Sequence, residues 1–539
     1  MSRTLKYGAV AAALIAISAC GDTEPAVTGS APDMRRLTQE QYANIVADLF
    51  GEHIVVGGQF DPLPRTDGLM AIGARTARVT PVGFEKFYEL GRSVALQVVS
   101  PENRHDLIPC VPSAVNAPDD TCAATFFSQV GRLLYRRALT EQERGTAVKA
   151  AHEAAVAASN FYDGIAEGLA GLMTTPQFLF VIDETEPDPA RAGQVRLTGP
   201  AMASRMSFLL WNTTPDEMLL QAAEKGELRN KDGLTKQVDR LLASPRVEIG
   251  ARAFFADFLN FEKFEILEKD PVIYPSFSIR VAEDAREQLL KTAYDHLFVR
   301  GQDYRDLFTT TKTFISPNLG RIYRVPVDRP DGGWMPYEFG PDEKYAGLLT
   351  QVGFVALHAH PGRSSPTLRG RALREVLMCQ HVPDPPGNVD QTLFFDPKSP
   401  VKTARERLTA HATNATCAGC HKLTDPIGLG LEQFDGVGEF RTTENGEPID
   451  IAGDLDGIPY REAKELGQVV RNNPATASCL VNRVTTYALG RALTREESPL
   501  AAYLEKTFAE NNYSLPKLLR TIATGDALYT VAKSKESTS

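Results

Sequence analysis

The chain has 539 residues, of which 43 % are hydrophobic and 23 % charged, and its 58 Lys and Arg against 68 Asp and Glu give a formal net charge of −10. This is the composition of a soluble globular protein long enough for several domains. The acidic balance argues against a nucleic-acid surface, and no stretch beyond the N-terminus is long and apolar enough to be a membrane span.

The first twenty residues, MSRTLKYGAVAAALIAISAC, have the pattern of a bacterial lipoprotein signal peptide. Arg3 and Lys6 form a basic start, and an apolar run too short to span a bilayer leads to small residues before Cys20. Cleavage there would leave Cys20 for lipid attachment; an ordinary secretory signal is the alternative. We predict a signal peptide over 1–19, a Gly/Ser/Pro-rich tether over 20–33, and a lipid-anchored protein of the cell envelope, on its periplasmic or outer-membrane face.

Most of the following sequence has the period of amphipathic helices, and strand-like alternation is scarce. Thr at 38, 140 and 494 each stands three residues before Gln or Glu, which indicates a capped helix start rather than a repeated recognition element. We predict a mainly α protein, with N-terminal helical modules over 34–185, a central helical module over 186–345, and a cytochrome-c-like haem domain with a C-terminal helical module over 346–535. The periodic segments predict helices over 126–138, 146–172, 201–211, 216–224, 234–242, 247–259, 281–299 and 404–411, and the Pro/Gly-rich stretch 325–340 predicts a loop.

Residues 417–421 read CAGCH, the C-x-x-C-H spacing of c-type haem attachment. In such a motif Cys417 and Cys420 form thioethers with the haem vinyl groups, and His421 is the proximal iron ligand. A zinc site is disfavoured because a second Cys or His pair at ligand spacing is missing, and a thioredoxin-like dithiol because no βαβ pattern surrounds the motif. The sequence therefore predicts one covalent haem c, followed by a turn over 425–430 that passes close to the ring.

The remaining cysteines fit two disulfides. With Cys20 assigned to lipid and the motif to haem, four are left, and an even remainder in an oxidising compartment predicts pairing. Cys110 and Cys122 flank a short loop rich in Pro and Ala, which favours a local bridge. Cys379 and Cys479 would then pair across the haem region, with free buried thiols as the alternative.

The second axial ligand is not where small electron-transfer cytochromes carry it, because neither Met nor His follows His421. Upstream candidates are His358 and His360, in the loop VALHAHPGRSSP, and Met378. Ordinary hydrogen bonding for the histidines and core packing for Met378 are the competing interpretations. A vacant sixth position is a further alternative. Weaker candidates are Met335, His381, His411, Tyr460 and Tyr487.

A resemblance to a known family is carried by two adjoining segments, TLRGRALREVLMCQHVPDPPGNVD and RERLTAHATNATCAGCHKLTDPIGLGLEQFDGVGEFR. They resemble a large family of exported bacterial proteins, built from consecutive domains of unknown function around a single c-type haem motif and often described as cytochrome c domain proteins. The family's central, C-terminal and N-terminal modules are similar to RLTGPAMASRMSFLLWNTTPDEMLLQAAEKGEL, CLVNRVTTYALGRALTREE and MRRLTQEQYANIVADLFG. The resemblance covers nearly the whole mature chain and implies the modular architecture and the haem, without a reaction.

These features favour a haem-c redox lipoprotein whose haem exchanges electrons and whose large helical body docks an envelope redox partner or a small-molecule substrate. The first alternative is a peroxidase- or oxygenase-like haem enzyme with an open iron and a distal imidazole acting as acid and base. The second is an interaction scaffold that haem stabilises. Whether the chain is an enzyme stays open from sequence. The sequence lacks a G-x-S-x-G elbow and a phosphate-cradling glycine loop, which disfavours hydrolase and nucleotide-dependent functions.

Overall fold

The computed structural model describes residues 23–329, 331–384, 401–412 and 415–532, with only the backbone described at 410–412 and 415–417. The predicted signal peptide and Cys20 lie outside the described residues, as do residues 385–400. The described part is mainly helical, as predicted, and its β-structure consists of two-stranded antiparallel pairs. These pairs are β1 (Met34–Arg36) with β2 (Phe180–Ile182), β3 (Thr185–Pro187) with β4 (Val195–Leu197), β5 (Lys312–Ile315) with β6 (Met335–Glu338), β7 (Thr443–Glu444) with β8 (Glu447–Pro448), and β9 (Gly453–Leu455) with β10 (Ile458–Tyr460).

The N-terminal region is a set of packed helices, two of which begin with the predicted capping boxes. Thr38 and Thr140 each accept a bond from the amide three residues on, and the side chain at that position bonds back to the cap. The predicted helix over 146–172 is two helices, because Ser159 takes a left-handed conformation with φ 51° and Asn160 caps the second. The helices here are α1 (Gln39–Phe50), α2 (Met70–Gly73), α3 (Pro81–Val98), α4 (Arg104–Leu107), α5 (Asp120–Leu134), α6 (Glu141–Ala158), α7 (Phe161–Met173) and α8 (Pro176–Leu179).

The central region contains all five predicted helices, and every end lies within three residues of the predicted one except the last, where α13 stops at Tyr294. Its last predicted helix continues as a π turn over Asp295–Val299. The stretch 325–340, predicted as a loop, contains β6, which pairs with β5. The helices here are α9 (Gly199–Leu210), α10 (Glu217–Glu224), α11 (Lys231–Leu242), α12 (Val247–Phe258), α13 (Ile279–Tyr294) and α14 (Pro317–Tyr323), with 3-10 turns at Glu227–Arg229, Phe261–Ile266 and Tyr304–Phe308.

The C-terminal region carries the CAGCH motif on a helix. The turn predicted over 425–430 is wrong, because that helix continues through Pro426 as far as Leu429. The third predicted capping box, at Thr494, starts the 3-10 turn Arg495–Glu497. The helices are α15 (Val352–Leu357), α16 (Pro366–Ala372, continued as a π turn over Leu373–Leu377), α17 (Ala404–Ala412), α18 (Ala415–Leu429), α19 (Ala463–Asn472), α20 (Pro474–Leu489), α21 (Ser498–Glu510) and α22 (Leu515–Thr524), with 3-10 turns at Leu348–Thr350 and Asp526–Leu528.

Two large hydrophobic cores hold most of the described residues together, and a small third cluster joins Ala404 and Leu408 to Leu429. The N-terminal region has its own core, built around side chains such as Val46, Phe126 and Leu169. The central and C-terminal regions share the other core, to which Leu289 of α13 and Leu466 of α19 both contribute. Ile427 of the motif helix belongs to this shared core, so the body that positions the helix spans both regions.

Both predicted disulfides are present. Cys110 pairs with Cys122 across the short loop, and Cys379 pairs with Cys479, one hundred residues away. The second bridge joins the end of the α16 segment to α20, so it ties the motif region to the last helices of the chain. Among the described residues there is no helix with the length and apolar character that a membrane crossing requires.

Candidate functional site

The motif helix α18 packs tightly and antiparallel against α16. A Cβ atom added to Gly428 would lie 1.7 Å from the carbonyl oxygen of Pro366, and one added to Gly370 would lie 1.9 Å from that of Thr424. No side chain larger than hydrogen fits at either glycine without moving backbone. The two helices therefore contact each other through their backbones. This contact fixes the position of α18 along α16 and its rotation about its own axis.

The residues that could hold a haem lie in the first turns of α18. Cys420 is a free, partly buried thiol whose Sγ lies 3.3 Å from the carbonyl oxygen of Pro383. The side chain of His421 is only 16 % exposed, and its Nδ1 lies 2.7 Å from Oδ2 of Asp425, one helical turn later. Cys417 belongs to the same helix, and its side chain lies outside the described residues.

Asp425 is itself held in place by two hydroxyl groups. Its Oδ1 accepts from Oγ1 of Thr367 on α16 at 2.8 Å and from Oγ1 of Thr424 at 3.2 Å. One carboxylate oxygen thus faces the threonines while the other faces His421. Such a carboxylate fixes the tautomer and orientation of an imidazole and makes its other nitrogen a stronger metal ligand.

This donor set fits a c-type haem. Cys420 stays unpaired although four other described cysteines form disulfides, so it is available for a thioether. Because Nδ1 of His421 is directed at Asp425, Nε2 is the nitrogen that would ligate iron. A metal site built from protein side chains alone has no support in the described part of the chain, where no group of three or more His, Cys, Asp or Glu could hold an ion.

Arg374 links α18 to the surrounding segments. Its Nε donates to the carbonyl of Leu423 at 3.0 Å, one terminal nitrogen pairs with Asp456 at 2.8 Å, and the other donates to Gln380 at 2.6 Å. Gln380 follows Cys379, so the second disulfide and Arg374 both restrain the segment that leads to Pro383. The segment beside Cys420 is therefore restrained both by the disulfide and by the hydrogen bonds of Arg374.

His358 lies in surroundings different from those of the His421–Asp425 pair. Its ring is buried, packs edge-on against Phe354 with centroids 4.9 Å apart, and lies in the field of Arg369. Arg369 and Thr367 are two residues apart on α16 and so project from nearly opposite faces of that helix. His358 is thus associated with one side of α16 and the His421–Asp425 pair with the other.

His360 and Met378 occupy different surroundings. His360 is half-buried in a loop, where its carbonyl oxygen, with those of Ala356 and Ala359, accepts from Nζ of Lys269. Burial and the nearby cations lower the pKa of His360. Met378 is buried in the large core. A sixth-ligand role for any of these three predicted residues stays a prediction.

Burial of His358 makes the protein sensitive to acid. Desolvation, helped by Lys263, Arg369 and Lys269, lowers the pKa of His358 from 6.5 to about 3. Between about pH 3 and pH 6.5, His358 is protonated in the unfolded chain and neutral in the folded protein. The free energy of unfolding therefore falls as the pH drops below 6.5. We expect this residue alone to remove about 3 kcal/mol by pH 4.5. Urea unfolding of wild type and His358→Asn at pH 7 and pH 4.5 checks this; an equal loss in both would contradict it.

Five family models match the chain one after another. The Cys379–Cys479 disulfide joins the fourth match to the fifth, and the CAGCH motif lies in the fourth. No curated protein and no solved structure matches the chain. In chain order the models are described as Protein of unknown function DUF1587 (residues 35–100), DUF1595 (122–183), DUF1592 (197–325), DUF1588 (345–444) and DUF1585 (456–528).

The functional residue that the sequence reasoning missed is Asp425. Its position four residues after His421 is the spacing at which two side chains meet on one helix, and that spacing was the available signal. The sequence Asp-Pro-Ile-Gly predicts a turn and so hides this spacing, whereas α18 continues through it.

Proposed function

We propose that this chain, which joins five modules of unknown function, is a c-type haem redox protein of the cell envelope, anchored by lipid on Cys20. Cys417 and Cys420 hold the haem, His421 is its proximal ligand, and the helical body docks a redox partner. The haem supplies a one-electron couple when bound. The observation that carries the proposal is the free thiol of Cys420 next to a histidine whose Nδ1 is fixed by Asp425.

The chain's own residues orient the ligand and restrict its motion. Asp425 accepts a hydrogen bond from Nδ1–H of His421, so the ring keeps one tautomer, and the hydrogen bond from Thr367 holds the carboxylate in place. The close backbone contact between α16 and α18 keeps this set of groups rigid while an electron enters or leaves. A rigid site would lower the reorganisation energy of electron transfer, because fewer protein groups have to move when the charge of the haem changes.

The test is an optical spectrum of the full chain matured in a periplasm with haem-attachment machinery, reduced, before and after CO. We expect the absorption of a c-type haem with low-spin iron and no response to CO, because an electron carrier keeps both axial positions filled. Well-folded protein without haem absorption would overturn the proposal and leave CAGCH as a dithiol or a disulfide.

A second function, an enzyme at an open iron, is favoured by the carboxylate on the proximal histidine. A more electron-rich imidazole stabilises the oxidised metal, which would also suit activation of peroxide or oxygen at a haem iron. A clear CO shift in the same spectrum would give this function first place. His360, in its half-buried loop, would then be the acid–base candidate for rate measurements.

Asp425→Asn should raise the reduction potential of the haem, because a neutral amide stabilises oxidised iron less than a carboxylate does. A potentiometric titration followed by absorbance measures the change. Asp239→Asn is the matched control, since Asp239 is an exposed carboxylate on α11, outside the motif region, and is paired with Arg520 at 2.6 Å. An unchanged or lower potential in Asp425→Asn would refute the role given to this residue.

A further inference from the structure

The segment predicted as a tether is, from residue 23, fixed to the other end of the chain. Oε2 of Glu24 accepts from the amide of Asp526 at 3.0 Å, and Oε1 accepts from that of Ala527 at 3.1 Å. These amides begin the 3-10 turn Asp526–Leu528, and a carboxylate there satisfies donors that the turn itself leaves without partners. The first described residues are therefore bound in a specific position.

Further contacts extend this attachment along the segment. Ser30 pairs with Val531 in a parallel bridge, and the amide of Ala532 donates to the carbonyl of Ser30 at 2.9 Å. Gly29 has φ +72°, and a Cβ atom there would lie 2.7 Å from the carbonyl oxygen of Thr530. Only glycine fits this backbone conformation and this approach.

Buried side chains support the attachment of the N-terminal segment. The amide of Asp33 donates to Asp183 at 3.2 Å, and Asp183 forms an ion pair with Arg205 at 2.6 Å. Arg205 is largely buried and also donates to the carbonyl of Leu528. The guanidinium of Arg205 thus connects Asp183, which binds the N-terminal segment, to the turn after α22.

This geometry leaves little chain between the predicted lipid site and the folded body. Cys20 and Glu24 are four residues apart, and a fully extended chain covers at most about 14 Å over that span. Glu24 sits at the end of α22, beside the start of α11, where Nζ of Lys231 donates to the carbonyl of Thr524 at 2.6 Å. The exposed side chains of this end face, Lys231, Asp232 and Asp526, are polar.

We propose that this end face, formed by the start of α11 and the turn after α22, lies against the lipid headgroups, so that the central and C-terminal regions together contact the membrane. The proposal rests on the lipidation of Cys20 in the proposed function. A polar face suits contact with headgroups without insertion into the acyl region, and lipid on Cys20 supplies the attachment. The partner of this surface is therefore a lipid bilayer.

The experiment uses the full chain, lipidated in cells and reconstituted into phosphatidylcholine vesicles with nitroxide-labelled headgroups. A fluorophore is attached through Asp232→Cys, and its quenching by the nitroxide is measured. The matched variant carries the same label and twenty Gly/Ser residues inserted between Asp22 and Thr23, which lets the body move several tens of ångströms from the bilayer. We expect quenching in the short-tether protein to exceed that in the lengthened one at least two-fold.

A second variant tests the attachment itself. Gly29→Val would push a side chain into the Thr530 carbonyl and release the segment, so quenching should fall as in the lengthened chain. Mass spectrometry of the N-terminal peptide separates the two proposals. Protein without lipid on Cys20 would overturn the anchor and this orientation together, whereas lipidated protein with equal quenching in all variants would overturn the orientation alone.

Discussion

Replacing Cys417 and Cys420 together by serine should remove covalent haem from the protein completely. The two thioethers are the only covalent links that a C-x-x-C-H motif makes to the porphyrin, and a haem held by His421 alone is lost on denaturation. The measurement is the haem content of denatured protein, by stained gel and by pyridine haemochrome absorbance. We expect one haem per wild-type chain and none in the variant.

The control for this experiment is the chain's other local cysteine pair. Cys110→Ser with Cys122→Ser removes a disulfide of the N-terminal region and leaves the motif intact, so its haem content should equal that of wild type. His421→Ala should lose the normal spectrum even where a thioether forms, because the iron lacks its proximal ligand. Covalent haem retained without Cys417 and Cys420 would show that attachment occurs elsewhere.

Gly428→Val should destabilise the motif region by about 3 kcal/mol, the upper end of what overpacking a rigid contact usually costs. The new side chain would meet the carbonyl of Pro366, a backbone atom that cannot move aside without displacing α16. Because α16 also supplies Thr367, we expect the haem spectrum to broaden as well. Urea unfolding followed at the haem absorbance measures the stability.

Gly419→Ala is the matched control on the same helix. A Cβ atom at Gly419 would meet nothing within 4 Å, and alanine favours a helix interior over glycine by about 1 kcal/mol. We therefore expect this variant to be as stable as wild type or slightly more so. If Gly428→Val were equally harmless, the backbone contact between α16 and α18 would not be needed to hold the site.

The helices could be predicted from the sequence because their signals are local. Capping boxes at Thr38 and Thr140 fix where helices begin, and the apolar period continues from there. The β5–β6 pair was missed because each strand has four residues and the partner lies twenty residues away, which leaves too short an alternation to recognise. At Ser159 a single left-handed residue divided one apparent helix, which periodicity alone does not reveal.

The candidate site was predictable in its cysteines and less so in its supporting groups. Residue counting and the exported context gave the Cys379–Cys479 pair, which the structure contains. Asp425 escaped because the proline after it suggested a chain reversal, and close packing of Gly428 and Gly370 overrides that local tendency. Thr367 had no sequence signal, since its contact with Asp425 depends on how two distant helices cross.

The bond between Glu24 and Asp526 joins residues separated by 502 positions. A contact of that separation forms only after the last helices have reached their places, and long-range closure is slow compared with helix formation. If the chain is exported as proposed, this closure takes place outside the cytoplasm, and until then the segment around Glu24 stays unattached. A chain that ends before Asp526 would leave that segment without its partner, so we expect proteases to cleave truncated products in this segment more readily than the full chain.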